Sequence, residues 1–169
     1  HTPPRETGIK LLADGGGNGT TARKRSERRS AEGLGGAGGA RGGGPERATP
    51  LRVYRRTVVD FAASHGSVPA DLSVAVDCGN GMASLATPQV LTDLGAEVIA
   101  LNANVDGHFP ARESKPTAET LTGLRNVVAD GDADIGIGHD GDADRIVVVD
   151  ADGAVVHEDT VLAILADHY

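Results

Sequence analysis

Residues 140–145 read Asp-Gly-Asp-Ala-Asp-Arg, three carboxylates at alternate positions followed by a guanidinium. At the tip of a turn, Asp140, Asp142 and Asp144 can converge on one hard cation, with Gly141 and Ala143 leaving room for the backbone to curl around it. An all-oxygen donor set selects Mg²⁺ or Ca²⁺ over zinc or copper. Arg145 adds a planar fork suited to phosphate. A divalent ion beside an arginine is a phosphoryl-transfer constellation, in which positioning and charge neutralisation carry most of the catalysis.

Other acidic loops fit less well. An EF-hand requires Gly at loop position 6 and Glu at position 12, where this chain has Arg145 and Ala151. A haloacid-dehalogenase-type phosphatase also ends a strand in Asp-x-Asp, but continues with Thr rather than Ala143-Asp144-Arg145. A solvated acidic turn is the bland alternative, against which stands the position of the run between two apolar segments.

The elements that must hold this loop are legible from periodicity. Leu51, Tyr54, Val58, Val59 and Phe61 recur at helical spacing through 50–64, and Gly66 and Pro69 end the run. Ser73–Cys78 reads as a buried strand, Gly79-Asn80-Gly81 as a turn, Met82–Leu94 as a helix closed by Gly95, and Glu97–Leu101 as a second strand. Residues 102–116 form a long loop, and loops of that length are usually functional or disordered. Thr117 is positioned to cap a helix to about Ala129; Asp134–Gly138 and Arg145–Asp150 are two more strands. Asp152-Gly153 is a turn, Val155-Val156 a short strand, and Asp159 a cap for a helix over 160–167. Strand, helix, strand, helix, strand is a βαβαβ unit with right-handed crossovers. The third and fourth strands are too close for a crossover and must form an antiparallel hairpin. The predicted fold is therefore α/β, a mixed, mostly parallel four-stranded sheet flanked by helices.

Residues 15–47 differ in kind. They hold 12 of the 24 glycines and five closely spaced basic residues (Arg23, Lys24, Arg25, Arg28, Arg29), with Leu34 the one large aliphatic side chain. Such a stretch cannot offset the entropy of ordering its backbone, and reads as a disordered or frameshifted tract. Residues 1–60 carry a net charge of +6 and residues 61–169 a net of −14, with three lysines and 16 aspartates in the whole chain. That balance reads as adaptation to high salt. The absence of a long apolar run argues against a membrane span, and the single Cys78 against a disulfide framework or multi-cysteine zinc site. With no signal segment, these point to the reducing cytoplasm. The chain opens on His1, as expected of a fragment or processed chain.

The Asp140–Arg145 loop resembles the metal-binding loop of the α-D-phosphohexomutases (phosphoglucomutase, phosphomannomutase and phosphoglucosamine mutase). Val76–Gly81 resembles that family's opening of its second domain, and Asp106-Gly107-His108-Phe109-Pro110 its D-G-x-F-P loop; His139 and the run 145–153 also agree. Lys115 stands where the family usually has an acidic residue. His1-Thr2-Pro3-Pro4 followed by Gly8-Ile9-Lys10 resembles the S-H-N-P-P…N-G-x-K segment, whose serine would fall one position before His1. Ala63-Ser64-His65-Gly66 imitates the serine motif but lacks its downstream residues, and reads as a helix end.

The resemblance implies a reaction: a phosphoserine gives its phosphoryl group to a hexose phosphate, the bisphosphate intermediate reorients, and the serine takes back the other group. It implies Mg²⁺ held by Asp140, Asp142 and Asp144, Arg145 on phosphate, and Lys10 in acid–base work at the sugar hydroxyl. It divides the chain into a first-domain remnant (1–47), a linking helix (48–66), the second domain with the metal loop (67–153) and the start of a third (154–169). The acidic, lysine-poor balance also suggests a halophilic archaeon as source. Lacking the serine and the later sugar- and phosphate-binding loops, the chain is expected to be inactive alone. Among the remaining residues, His108 and Arg112 read as solvated or cleft-facing, Asp77 as a helix cap or a support of the metal loop, and Cys78 as a buried small apolar residue. Two alternatives are a non-catalytic Mg²⁺ or phosphosugar-binding module, and nucleic-acid binding by the Gly/Arg tract, against which the acidic remainder argues.

Overall fold

The computed structural model describes residues 49–168 and, in the N-terminal stretch, the dipeptides Leu12–Ala13 (β1) and Gly16–Gly17 (β2), which pair antiparallel. Lys10 and, apart from Gly16–Gly17, the Gly/Arg tract lie outside the described residues.

Residues 49–168 open with helix α1 (Thr49–His65), whose Arg55 reaches Asp93 at 3.2 Å. Strand β3 (Ser73–Asp77) follows, then a 3₁₀ turn (Met82–Leu85), α2 (Thr87–Asp93) and β4 (Glu97–Leu101). The predicted continuous helix over 82–94 is thus split. Pro88 cannot donate to the Ser84 carbonyl, and its ring would clash there, so the chain restarts with the proline in the first turn of α2, where no donor is needed.

After the long loop, Thr117 and Thr120 exchange hydrogen bonds (Thr117 N to Thr120 Oγ1 2.7 Å, Thr120 N to Thr117 Oγ1 3.3 Å), and regular helix α3 runs Thr122–Ala129. The expected capping residue is in place, but the turn it closes precedes the regular helix. Strands β5 (Ile135–His139), β6 (Ile146–Val149) and β7 (Val155–Val156) come next, then α4 (Glu158–His168). Asp159 lies within the first turn of α4 rather than capping it; His157 Nδ1 accepts the Asp159 N–H at 3.2 Å instead.

The sheet order is β4-β3-β5-β6-β7. β3 pairs parallel with β4 and β5, and β5–β6 and β6–β7 are antiparallel, so the mixed sheet and the hairpin are as expected, with a fifth strand on the edge. Alternation along β3 gives the two cores: Val74, Val76 and Cys78 face the α2 side with Ala83 and Ala96, while Ala75 faces the α3 side with Leu121, Leu124, Val128 and Val149. Gly136 and Gly138 let α3 sit close to β5; a Cβ on Gly138 would lie 2.7 Å from Leu121 Cδ2. This packing fixes the carboxyl ends of β3 and β5, from which the functional loops emerge. Among the described residues, no helix is long and apolar enough to cross a membrane.

Candidate metal and phosphate site

Asp140 follows β5 directly, and the next five residues form the hairpin tip before β6. One carboxylate oxygen from each of Asp140, Asp142 and Asp144 lies within 4.8 Å of the other two. Among three ligands of one ion at most one pair can stand trans, about 4.2 Å apart around Mg²⁺ and about 4.8 Å around Ca²⁺, and cis oxygens lie about 3.0–3.4 Å apart, so a shared ion would draw the three carboxylates together. Ala143 takes a left-handed conformation (φ 62°), which curls the loop back on itself, and its N–H donates to the Asp140 carbonyl at 3.2 Å. Donor chemistry and spacing both fit a hard divalent cation.

The three carboxylates are not equivalent. Asp140 is 0% exposed, whereas Asp142 and Asp144 are exposed. Burial raises the Asp140 pKa above the usual carboxylate value; the Arg145 backbone N–H opposes this, and the Asp144 and Asp142 carboxylates add to it. A cation among them would turn that mutual repulsion into attraction. Arg145 supplies part of the compensation: its backbone N–H donates to Asp140 Oδ1 and its Nε to Oδ2, both at 3.2 Å, and Nε lies 3.6 Å from Asp144 Oδ1. The Arg145 side chain is nonetheless 54% exposed beside the triad.

The turn after β3 abuts the loop. Met82 N–H donates to the Gly141 carbonyl at 3.0 Å, and a Cβ on Gly81 would fall 2.6 Å from that same oxygen. Asn80, also left-handed (φ 58°) and buried, ties down the long loop: its Nδ2 donates to Asn104 Oδ1 at 3.0 Å, and its Oδ1 accepts the Ala111 N–H at 3.1 Å. Phe109 covers Gly141, where an added Cβ would meet its ring at 3.0 Å.

Two residues of the loop sort differently from each other. His108 is solvated, with its Nδ1 3.0 Å from Asp106 Oδ1. Arg112 is neither solvated nor facing an open cleft: its side chain is 5% exposed, and Nε donates to Asp77 Oδ2 at 3.1 Å. Asp77 correspondingly caps no helix; its Oδ1 accepts the Gly79 N–H at 2.8 Å and the Asn102 side-chain amide at 3.2 Å. Cys78 is fully buried, and burial pushes its thiol up to about 11, as befits an inert packing residue. Ser64 lies at the end of α1, its Oγ donating to the Phe61 carbonyl at 2.7 Å, so the serine-motif imitation is a helix terminus.

Sequence reading did not single out Asn80 or the role of Arg112. One signal was available: residues 61–169 contain only three arginines among 18 acidic side chains, and each is used. Arg125 donates to the Gly153 and Ala118 carbonyls at 2.8 and 3.2 Å, while Arg112 and Arg145 hold Asp77 and Asp140.

Residues 53–153 match the sequence model of the family described as phosphoglucomutase/phosphomannomutase, alpha/beta/alpha domain II. A probable phosphoglucosamine mutase of Methanopyrus kandleri is 45% identical over 117 residues, covering 69% of this chain and 25% of that protein. A phosphopentomutase of Thermococcus kodakarensis is 37% identical over 175 aligned positions, covering all of this chain and 37% of that protein. The crystal structure of a phosphoglucomutase/phosphomannomutase family protein from Burkholderia thailandensis superposes with a TM-score of 0.62 at 33% identity, covering 69% of this chain and 25% of that one. The chain thus spans about a quarter to two fifths of the length of these relatives. With the match running through the strands, the Asn80 turn and the acidic loop alike, the chain belongs to the phosphoglucomutase/phosphomannomutase family.

Proposed function

We propose that this chain carries the metal- and phosphate-holding part of a phosphosugar mutase, in which a phosphoryl group moves between the 1- and 6-positions of a hexose phosphate by way of a phosphoserine and a bisphosphate intermediate. The observation that carries the reading is the convergence of Asp140, Asp142 and Asp144 beside Arg145. Those three carboxylates would hold Mg²⁺, which when bound neutralises charge developing on the transferred phosphoryl group. Asp140 sits at a fixed strand end, so the position of the cluster is set by the sheet. Asp142 and Asp144 complete it from solvent. Arg145, half-exposed and already oriented by Asp140, is placed to donate to a phosphate at the loop. Lys10 is proposed for proton transfer at the sugar hydroxyl.

On this reading residues 67–153 are the metal-bearing domain, 1–47 belong to the domain before it, 48–66 link the two, and 154–169 open the domain after it. The names phosphoglucosamine mutase and phosphoglucomutase/phosphomannomutase among the relatives support a hexose phosphate, which is the substrate class proposed, while the phosphopentomutase among them leaves the particular sugar open. The acidic, lysine-poor composition supports a protein working at high salt, in the cytoplasm of a halophilic archaeon.

Two measurements test the reading. Calorimetric titration with Mg²⁺ should show one site in the wild-type chain and none in Asp142→Asn; equal binding by both would refute the metal assignment. A coupled assay of these 169 residues by themselves with glucose 1-phosphate, mannose 1-phosphate and glucosamine 1-phosphate should show no turnover, and turnover of any of them would refute the view that further parts are needed.

A further inference from the structure

We infer that Arg112 is a positioning residue for the metal loop, fixing the peptide that presents Asp140. The inference rests on the metal reading above and adds to it a residue of the long loop. Arg112 uses every arm of its guanidinium. Nε donates to Asp77 Oδ2 at 3.1 Å; Nη2 donates to the His139 carbonyl at 2.6 Å and lies 3.4 Å from the Asp77 carbonyl; Nη1 donates to the Glu113 carbonyl at 3.0 Å. Asp77 ends β3 and His139 ends β5, neighbouring parallel strands in which Asp77 pairs with Gly138. The guanidinium therefore spans the two strand ends at the point where the loops diverge. The His139 carbonyl belongs to the peptide joining His139 to Asp140, so the contact fixes the root of the buried ligand.

The seat is shaped for this group. Gly79 is left-handed (φ 52°), and a Cβ there would lie 2.6–2.9 Å from the guanidinium of Arg112. Arg112 and Asp77 side chains are 5% and 4% exposed. A buried ion pair is poor evidence for stability, because its desolvation offsets most of its attraction. A planar fork with several fixed donors is, however, good at holding backbone groups in one geometry. The long loop that delivers Arg112 is itself anchored on Asn80 at Asn104 and Ala111, and it presses Phe109 and Ser114 onto Gly141, between the first two carboxylates. Loop 102–116 thus braces the metal loop from behind.

The test is Mn²⁺ binding to the full 169-residue chain, followed by the loss of the free-ion EPR signal. Two variants are compared with wild type. Arg112→Lys keeps a charge for Asp77 but loses the fork, and the double variant Arg112→Met/Asp77→Asn removes both charges and leaves neither stranded. Each should bind Mn²⁺ about 10–100-fold more weakly, the range for residues that orient metal ligands. The rise in melting temperature on adding Mn²⁺ should shrink in step. Val128→Ala, in the core under α3, should lower the melting temperature without changing Mn²⁺ affinity. Variants that bind Mn²⁺ within twofold of wild type would show Arg112 to be a purely structural residue and overturn the inference. A wild-type chain that fails to bind Mn²⁺ at millimolar concentration would instead remove the metal reading, and this inference with it.

Discussion

Gly81→Ala tests whether the turn after β3 and the metal loop form one unit. Gly81 has φ −94° and ψ −166°, a conformation open to alanine, so any cost must come from space alone. The added Cβ would meet the Gly141 carbonyl oxygen at 2.6 Å and the Gly141 carbon and Cα at 3.0 Å. These are backbone atoms, and no rotamer change relieves the contact. Forced overpacking costs about 1–3 kcal/mol. Displacing Gly141 also breaks the Met82 N–H to Gly141 carbonyl bond, for about 1 kcal/mol more. Against this, replacing a glycine stiffens the unfolded chain, a gain of about 0.4–1 kcal/mol. The net is a loss of about 1–3.5 kcal/mol. Because Gly141 lies between Asp140 and Asp142, the shift should also weaken divalent-ion binding. Urea denaturation gives the stability and Mn²⁺ titration the affinity. Gly66→Ala, where no atom lies within 4 Å of the added carbon, is the control and should be neutral or slightly stabilising. If Gly81→Ala behaves like Gly66→Ala in both assays, the claimed contact between the two loops does not exist in solution.

Further outcomes follow from the same geometry. Asp142→Asn and Asp144→Asn should change the stability of the metal-free chain by less than about 0.5 kcal/mol, because both side chains are exposed, yet each should abolish detectable Mg²⁺ binding by calorimetry. Asp140→Asn should abolish binding too, but leave the metal-free chain equally or more stable in urea: its raised pKa means the ionised form is held at a cost above that pKa. His139 is 7% exposed, and burial depresses its pKa below 6.5, against the opposing influence of the Arg145 backbone and Asp140. Between 6.5 and that lower value the unfolded chain binds more protons than the folded one. Stability should therefore fall as pH drops below about 6.5, a slope measured by urea midpoints and reduced in His139→Phe. Raising KCl from about 0.1 M to about 2 M should raise the urea midpoint by screening the −14 net charge of residues 61–169; a flat or falling midpoint would contradict adaptation to salt.

What was legible in the sequence was local. Val74 and Val76 alternate with Ala75 in a strand buried on both faces, and the run reads as a strand because β-branched residues suit a pleated surface. The acidic loop was legible because its residues lie within six positions of one another, so their convergence follows from one tight turn. Pro88 was equally visible, and only the weight of the surrounding apolar periodicity hid the break it imposes. The brace behind the loop was not legible. Arg112 reaches Asp77 across 35 positions and the His139 carbonyl across 27, and Asn80 reaches Ala111 across 31. No short-range pattern encodes such pairings, because they depend on β4 and α3 having carried the chain out and back to the same end of the sheet.

That end of the sheet concentrates the backbone cost of the fold. Among the described residues, the non-glycine positions with positive φ are Asn80, Asn102, Phe109 and Ala143, and all four lie in the three loops that meet around the acidic triad. Asparagine tolerates this conformation because its short amide can bond nearby backbone; phenylalanine and alanine gain nothing of the kind, and each such residue costs of order 1–3 kcal/mol. A conformation of that cost persists only where neighbours over-determine it. For the asparagines they do so through polar bonds, with Asn80 holding the long loop at Asn104 and Ala111, Asp77 holding Gly79, Asn102 and Arg112, and Arg112 holding the peptide before Asp140; the Phe109 ring lies against Gly141, and Ala143 packs on the core. The hydrophobic clusters on either face of the sheet stabilise the strands, and they meet the site at Ala143, the strand ends and the turn after β3. Core mutations should accordingly change how much of the protein is folded, whereas mutations in the polar network should change where Asp140 sits. The separation follows from a site built at strand ends, where the sheet supplies position and the loops supply orientation.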